Sequence, residues 1–184
     1  MILNNFKNKT VIVTGHTGFK GSWLSQWLIL LGAKVIGVSN NIPSEPSHFK
    51  LINLKKNIIN KQIDIVNLKE LKKTFVNYKP DYVFHLAGQA LVKNSFTDPV
   101  KTWKTNTIGT LNILESLKEL KKKCIAVLIT SDKSYKNLEI KRGYRESDIL
   151  GGHDPYSASK AGAELVIQSH IKSFFPKEKT NTLI

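Results

Sequence analysis

Residues 14–21 read TGHTGFKG, three glycines at a spacing of three directly behind the apolar run Val11, Ile12, Val13. Bare backbone at that density suits a junction between a strand and a helix. There Gly15 permits a tight turn, Gly18 lets backbone N–H groups approach a pyrophosphate, and Gly21 lets the helix pack against the sheet. The helix N-terminus adds its partial positive charge to the same spot. Taken alone, such a turn is weak evidence for a binding site. What surrounds it decides the reading.

Outward from that turn, strand and helix patterns alternate. Apolar runs of strand length occupy 10–14, 34–38, 57–63, 81–86 and 124–130, and most are followed by a helical pattern. This order predicts an α/β, Rossmann-type doubly wound parallel sheet with helices on both faces. In the first helix Trp23, Leu24, Trp27, Leu28 and Leu31 recur on one face before Gly32 supplies a stop, so both tryptophans are expected in the core. Asn67 is placed to cap the next helix and Pro80 to close it. Helical patterns over 99–121 and 155–175 complete the set, and the loops at 39–47 and 135–154 carry most of the irregular composition. At the first junction of such a chain the glycine turn becomes a dinucleotide site.

The acidic residue that ordinarily meets the adenosine ribose roughly 20 residues beyond the first glycine is missing. The second strand ends instead in Val38, Ser39, Asn40, Asn41. An asparagine can still hydrogen-bond a ribose hydroxyl, and no arginine stands there for a 2′-phosphate, so the pattern favours NAD. Asp64, behind the third strand, is read either as an acceptor for the adenine amino group or as a helix cap.

Composition limits the alternatives. The 184 residues fit one domain, and the 41% apolar fraction is that of a globular protein with a real core. No stretch approaches the roughly 20 apolar residues of a membrane span, and MILNNFKNKT lacks a basic-then-apolar leader, so no membrane association is expected and cytoplasm is the expected compartment. The 28 Lys+Arg against 14 Asp+Glu give a formal +14. These lysines are scattered along helices and turns, as in Lys69, Lys72 and Lys73, so a solvated face is expected rather than a nucleic-acid partner. Cys124 lies in CIAVLIT and is expected as a buried reduced thiol. His16 and His85 have no ligand-like spacing, so no metal is expected.

A second constellation is Tyr156-Ser-Ala-Ser-Lys160, behind a Pro155 that suits the first turn of a helix. On a helix, i and i+4 share a face, which sets an ammonium beside a phenol. A fixed positive neighbour favours the phenolate and prepares a general base. Y-x-x-x-K is common by chance; its place far downstream of the glycine turn makes coincidence a poor explanation.

VTGHTGFKGSWL, HLAGQ at 85–89, TNTIGT at 105–110 and the Tyr156/Lys160 pair resemble the extended short-chain dehydrogenase/reductase superfamily. Within it the words GHTGFKGSWL, PSHFKL, TSDKSY, GYRE and GGHDPYSASK are similar to the CDP-glucose 4,6-dehydratases, across residues 8–176. The resemblance implies that Gly15, Thr17, Gly18, Phe19, Lys20, Gly21, Asn40, Asp64, Ile65, Leu86, Ala87, Gly88 and Asn106, with Tyr156 and Lys160, bind NAD. It also implies CDP-glucose as substrate. Tyr156 would take the O4 proton as hydride leaves C4, Lys160 would hold the tyrosine and the nicotinamide ribose, and Ser131 would orient O4. Asp132 would protonate the departing C6 hydroxyl and Lys133 would assist at C5, before the stored hydride returns to C6. Lys133 must then be partly neutral, which burial beside Lys160 would favour; a surface salt bridge is the other reading of Lys133, and a turn residue that of Asp132. Asn106 would hold a water or support the tyrosine, or else make a helix-interior hydrogen bond. The same resemblance implies that residues 1–184 form an NAD(P)-binding Rossmann domain that stops before a C-terminal substrate domain, and that complete relatives pair as homodimers through the two long helices. An epimerase or reductase of the superfamily, which would leave residues 131–133 idle, and an inactive dinucleotide-binding fragment are the alternatives.

Overall fold

In a computed structural model, residues 5–176 and 182–184 are described. The chain runs β1 (Thr10–Thr14), α1 (Phe19–Leu30), β2 (Lys34–Ser39), α2 (His48–Leu51), β3 (Ile59–Gln62), α3 (Leu68–Tyr78), β4 (Tyr82–His85), α4 (Val92–Thr97) and α5 (Pro99–Trp103). A π-helical turn (Lys104–Ile108) then leads into α6 (Gly109–Leu117), β5 (Cys124–Leu128), α7 (Pro155–Phe174) and β6 (Thr182–Leu183). All strand pairs are parallel, in the order β3-β2-β1-β4-β5-β6. That is the doubly wound arrangement, with the change of direction between β1 and β4.

Alternation along the strands assigns the two faces. Ile12, Ile36, Val38, Val83, Cys124 and Ala126 meet Leu71 and Phe75 of α3, Ile113, Leu114 and Leu117 of α6 and Ile167 of α7 in the larger core. Val11, Val13 and Val35 face the other way, onto Leu28 of α1. The tryptophan expectation fails on this face: Trp23 is 54% and Trp27 60% exposed. The side of α1 turned to the sheet is Gly21, Ser25 and Leu28. A Cβ on Gly21 would come within 2.1 Å of the Gly15 carbonyl oxygen, and Ser25 folds its hydroxyl back onto that of Gly21. Approach this close tolerates only small side chains, so the bulky ones are rotated outward.

The expected Asn67 cap forms, with Asn67 Oδ1 accepting from Glu70 N–H, and the helix ends at Tyr78, with Lys79 as its C-cap before Pro80. Asp154 caps α7 by accepting from Ser157 N–H (3.0 Å) and its hydroxyl (2.6 Å), with Pro155 in the first turn. The continuous helix expected over 99–121 is instead interrupted by the π turn and ends at Leu117. Two short helices, α2 and α4, arise where no helix is expected. Ser47 caps α2, whose Phe49 buries itself edge-on against His16 (centroids 5.4 Å apart). Among the described residues no helix is long and apolar enough to cross a membrane.

Candidate active site

The C-terminal ends of β1, β2, β3, β4 and β5 open onto one cleft of about 600 Å³. The glycine turn forms its first wall. Gly15 N–H donates to Val38 O (2.8 Å), and Gly15 has φ +73°, a left-handed conformation that favours glycine. A Cβ there would meet Ala87 N at 2.7 Å, so the turn also abuts the loop behind β4. Gly18 heads α1 without any side-chain cap, and no acidic residue occupies the first turn. The first N–H groups and the helix dipole are thus free for an anion, and Thr17, Phe19, Lys20 and Gly21 line the cleft beside them. Leu86, Ala87 and Gly88 form the floor, Asn40, Asp64 and Ile65 the corner behind β2 and β3, and Tyr156 and Lys160 the far wall.

Behind the floor runs a chain of buried hydrogen bonds whose direction is set at both ends. Thr110 Oγ donates to Asn106 O (2.7 Å), so it accepts from His85 Nε2 (3.1 Å), and Nδ1 must accept from Thr14 Oγ (2.7 Å). Thr14 Oγ in turn accepts from Ala87 N–H (3.2 Å). His85 is therefore the neutral Nε2–H tautomer, and burial, with the Lys160 charge adding to it, pushes its pKa down to about 3. Asn106 does not line the cleft; it clamps the floor from behind. Its Oδ1 accepts from Gln89 N–H (2.8 Å), while Nδ2 donates to Gln89 O (3.1 Å) and Ser159 Oγ (2.9 Å), tying the β4 loop to α7.

Tyr156 is buried, 8% exposed, on the first turn of α7, and Lys160 lies one turn on. Burial lowers the Lys160 pKa. Gly88 makes room for it, since a Cβ there would stand 3.3 Å from Nζ and 3.2 Å from Asn106 Oδ1. The segment Ser131, Asp132, Lys133 follows Ile129 and Thr130, which line the cleft, and turns away as a short 3₁₀ segment packed against α7. Ser131 Oγ donates to Asp132 Oδ1 (3.1 Å) and accepts from Lys133 N–H (3.2 Å). Lys133 is exposed, so the desolvation expected of it falls on Lys160 instead.

The sequence pattern and this geometry have a counterpart in a family model: residues 12–175 match the one described as GDP-mannose 4,6 dehydratase. The chain belongs to that family. CDP-glucose 4,6-dehydratase of Salmonella typhimurium is 46% identical over 176 residues, 95% of this chain and 49% of that protein. Among solved structures, UDP-glucose 4-epimerase of Thermotoga maritima with UDP-glucose gives a TM-score of 0.79 at 28% identity, over 90% of this chain and 52% of its own. UDP-glucose 4-epimerase of Thermus thermophilus in complex with NAD gives 0.75 at 27% identity, over 90% and 51%. The chain spans about half the length of the curated relatives it matches.

With this dehydratase family's fold in view, the cleft residues missing from the sequence reading can be placed. Ser39, Asn41, Gln89 and Thr130 adjoin positions already singled out, at strand ends where the doubly wound rule puts ligands. Thr105, in the π turn, opens the TNTIGT stretch, whereas Lys101 comes from α5 and no motif announces it. Loop 135–154 closes on itself: Arg142 forks onto Asp148 (2.7 Å twice), and Tyr144 stacks on Tyr135 at 5.4 Å.

Proposed function

We propose that this chain carries the cofactor-binding and acid–base half of a nucleotide-sugar 4,6-dehydratase acting on CDP-glucose with NAD. The observation that carries the reading is the union, in one cleft, of an uncapped helix N-terminus behind a glycine turn with a buried tyrosine–lysine pair. The 46% identity to a CDP-glucose 4,6-dehydratase supports the substrate. The residues present fit a dinucleotide: a cleft of about 600 Å³ is within the usual range for such ligands, and the α1 N-terminus offers N–H donors for its pyrophosphate. Gly15, Thr17, Gly18, Phe19, Lys20 and Gly21 would hold the phosphates, Asn40, Asp64 and Ile65 the adenosine end, and Leu86, Ala87, Gly88, Tyr156 and Lys160 the nicotinamide end. Asn106 would act from behind by fixing Gln89.

Bound NAD would supply reversible two-electron oxidation at the sugar C4. Tyr156 would take the O4 proton, and Lys160, desolvated beside it, would favour the phenolate by its charge. Ser131 would hydrogen-bond O4. Asp132 would deliver a proton to the departing C6 hydroxyl, and Lys133, exposed until a bound sugar takes its solvent, would assist at C5, where the proton lost is later restored, releasing one water with no net change in the nicotinamide. Two copies would pair through α5, the π turn, α6 and α7, where Val100, Trp103, Ile108 and Leu165 are exposed.

Incubation of the chain with CDP-glucose and NAD, followed by mass spectrometry, should give a sugar nucleotide lighter by one water, and Tyr156→Phe should abolish it. An epimer of unchanged mass would replace this reading with that of an epimerase. NAD binding without any product would reduce the chain to a dinucleotide-binding half.

A further inference from the structure

Helix α7 carries a third polar group one turn beyond Tyr156 and Lys160. Glu164 follows at the next i+4 step, half-buried, and accepts a hydrogen bond from Thr130 Oγ. Thr130 lines the cleft and directly precedes Ser131, Asp132 and Lys133. We infer that Glu164 is a positioning residue: by holding Thr130 it sets the Ser131–Lys133 segment, which leaves β5, at a fixed place relative to the Tyr156/Lys160 pair on α7. The inference rests on the dehydratase reading above, which divides the acid–base work between those two segments.

The tie falls where the segment is otherwise held only by itself and by its own loop. Ile129 N–H still donates to His85 O (3.0 Å), so Thr130 is the first residue beyond the β5 ladder. Ser131 Oγ bonds to Asp132 Oδ1 and Lys133 N–H, both inside the segment, and Asp132 and Lys133 are exposed. Ser134 N–H and Tyr135 N–H turn back to Ser131 O (3.0 Å) and Asp132 O (3.2 Å). Downstream, Gly151 N–H donates to Ser134 O (2.8 Å) and Lys136 N–H to Ile149 O (2.9 Å), which joins the turn to loop 135–154. Among the described residues, Thr130 to Glu164 is the one hydrogen bond between residues 130–135 and α7.

A carboxylate is an expensive spacer. Glu164 is half out of water, and among the described residues no cation stands within ion-pair distance of it. An apolar side chain would pack there without that desolvation. What the carboxylate adds is direction, since a charge-assisted hydrogen bond is shorter and stronger than a neutral one and holds the threonine in one orientation. Glu164 is not a counter-charge to Lys160: burial lowers that pKa, whereas a carboxylate partner would raise it.

The test compares wild type, Thr130→Val, Glu164→Ala and the double variant, read first by amide hydrogen exchange, which needs neither substrate nor turnover. Exchange at Ser134 and Tyr135 N–H should quicken about tenfold in each single variant and no further in the double one, while the β1 amides keep their rates. Thr130→Ser and Glu164→Gln, which keep a donor and an acceptor, should restore most of the protection. With CDP-glucose and NAD, the single variants should hold the nicotinamide reduced and release dehydrated product at least about tenfold more slowly. Oxidation at C4 uses Tyr156 and Lys160, whereas water loss needs the displaced segment. Unchanged exchange, additive single effects or protection lost evenly over the sheet would overturn the inference, as would equal slowing of oxidation and water loss. A wild type that yields an epimer or no product would overturn the dehydratase reading and the catalytic role given to Glu164, while the exchange rates still decide whether the tie exists.

Discussion

Gly15 and His85 show how single residues set the cleft. At Gly15 a methyl group meets the Ala87 backbone at 2.7 Å and the left-handed φ strains any other residue. We expect Gly15→Ala to cost about 1–3 kcal/mol in urea unfolding and to abolish NAD binding, whereas Gly143→Ala, which meets nothing, should stay within about 0.5 kcal/mol. His85, neutral and wholly enclosed, has a pKa pushed from 6.5 to about 3. Between those values the unfolded chain binds a proton that the folded one does not. Its contribution is therefore complete above pH 6.5 and is lost as pH falls, at up to about 1.4 kcal/mol per pH unit. Burial lowers His16 as well, which adds in the same direction. Unfolding free energies at pH 7.5 and 5.5 should show the loss, and the His85 ring proton resonances should not titrate between pH 8 and 5. A ring that titrates near 6.5 would remove the tautomer assignment.

At the scale of elements, the π turn between α5 and α6 is the feature that the helical period hides. It presents Asn106 to Gln89 and Ser159, and the α6 residue that follows it, Gly109, leaves room for Ile65, whose Cδ1 would lie 2.5 Å from a Cβ there. Such turns cluster at functional sites. Asn106→Ala strips the Gln89 N–H and C=O of their partners, so a loss of about 1–3 kcal/mol in stability is expected, together with a weaker grip on NAD. If calorimetric titration finds NAD affinity unchanged in that variant, the clamp does not act on the cleft. The motif PSHFKL works similarly from outside. His48 stacks on Trp23 at 4.1 Å with its Nδ1 2.8 Å from Ser22 Oγ, and Phe49 braces His16, so α2 pins the first turn of α1.

For the whole molecule, the two sheet faces are unequally covered. Three long helices bury one face, while over the other α1 covers β1 and β2 and leaves Val127 of β5 40% exposed. Outside the sheet, Trp103 and Leu165 are also exposed, at 41% and 57%, on helices that pack against each other. If copies pair through those helices, Trp103→Glu with Leu165→Glu should convert a dimer to a monomer in sedimentation without unfolding it. A dimer that survives both changes would move the interface elsewhere.

The alternating parallel fold and the glycine turn follow from the sequence because they rest on local signals: alternation of apolar runs, glycine spacing, the Asn67 cap and Pro155 in the first turn of α7. The Tyr156/Lys160 pair was legible for the same reason, since i and i+4 fix a shared helical face. What faces what across elements was decided only by packing. The Trp23 and Trp27 stripe has core periodicity, yet the backbone contact at Gly21 admits only small neighbours and turns it outward. Lys160, not Lys133, lost its solvent because α7 runs into the cleft while the 131–134 turn runs out of it. Asn40 and Asp64 stand 24 residues apart and meet only because β2 and β3 are neighbours in the sheet. Sequence spacing records contacts within a turn or two of backbone; contacts between strands depend on register and on the close-packed interior, which no short stretch encodes.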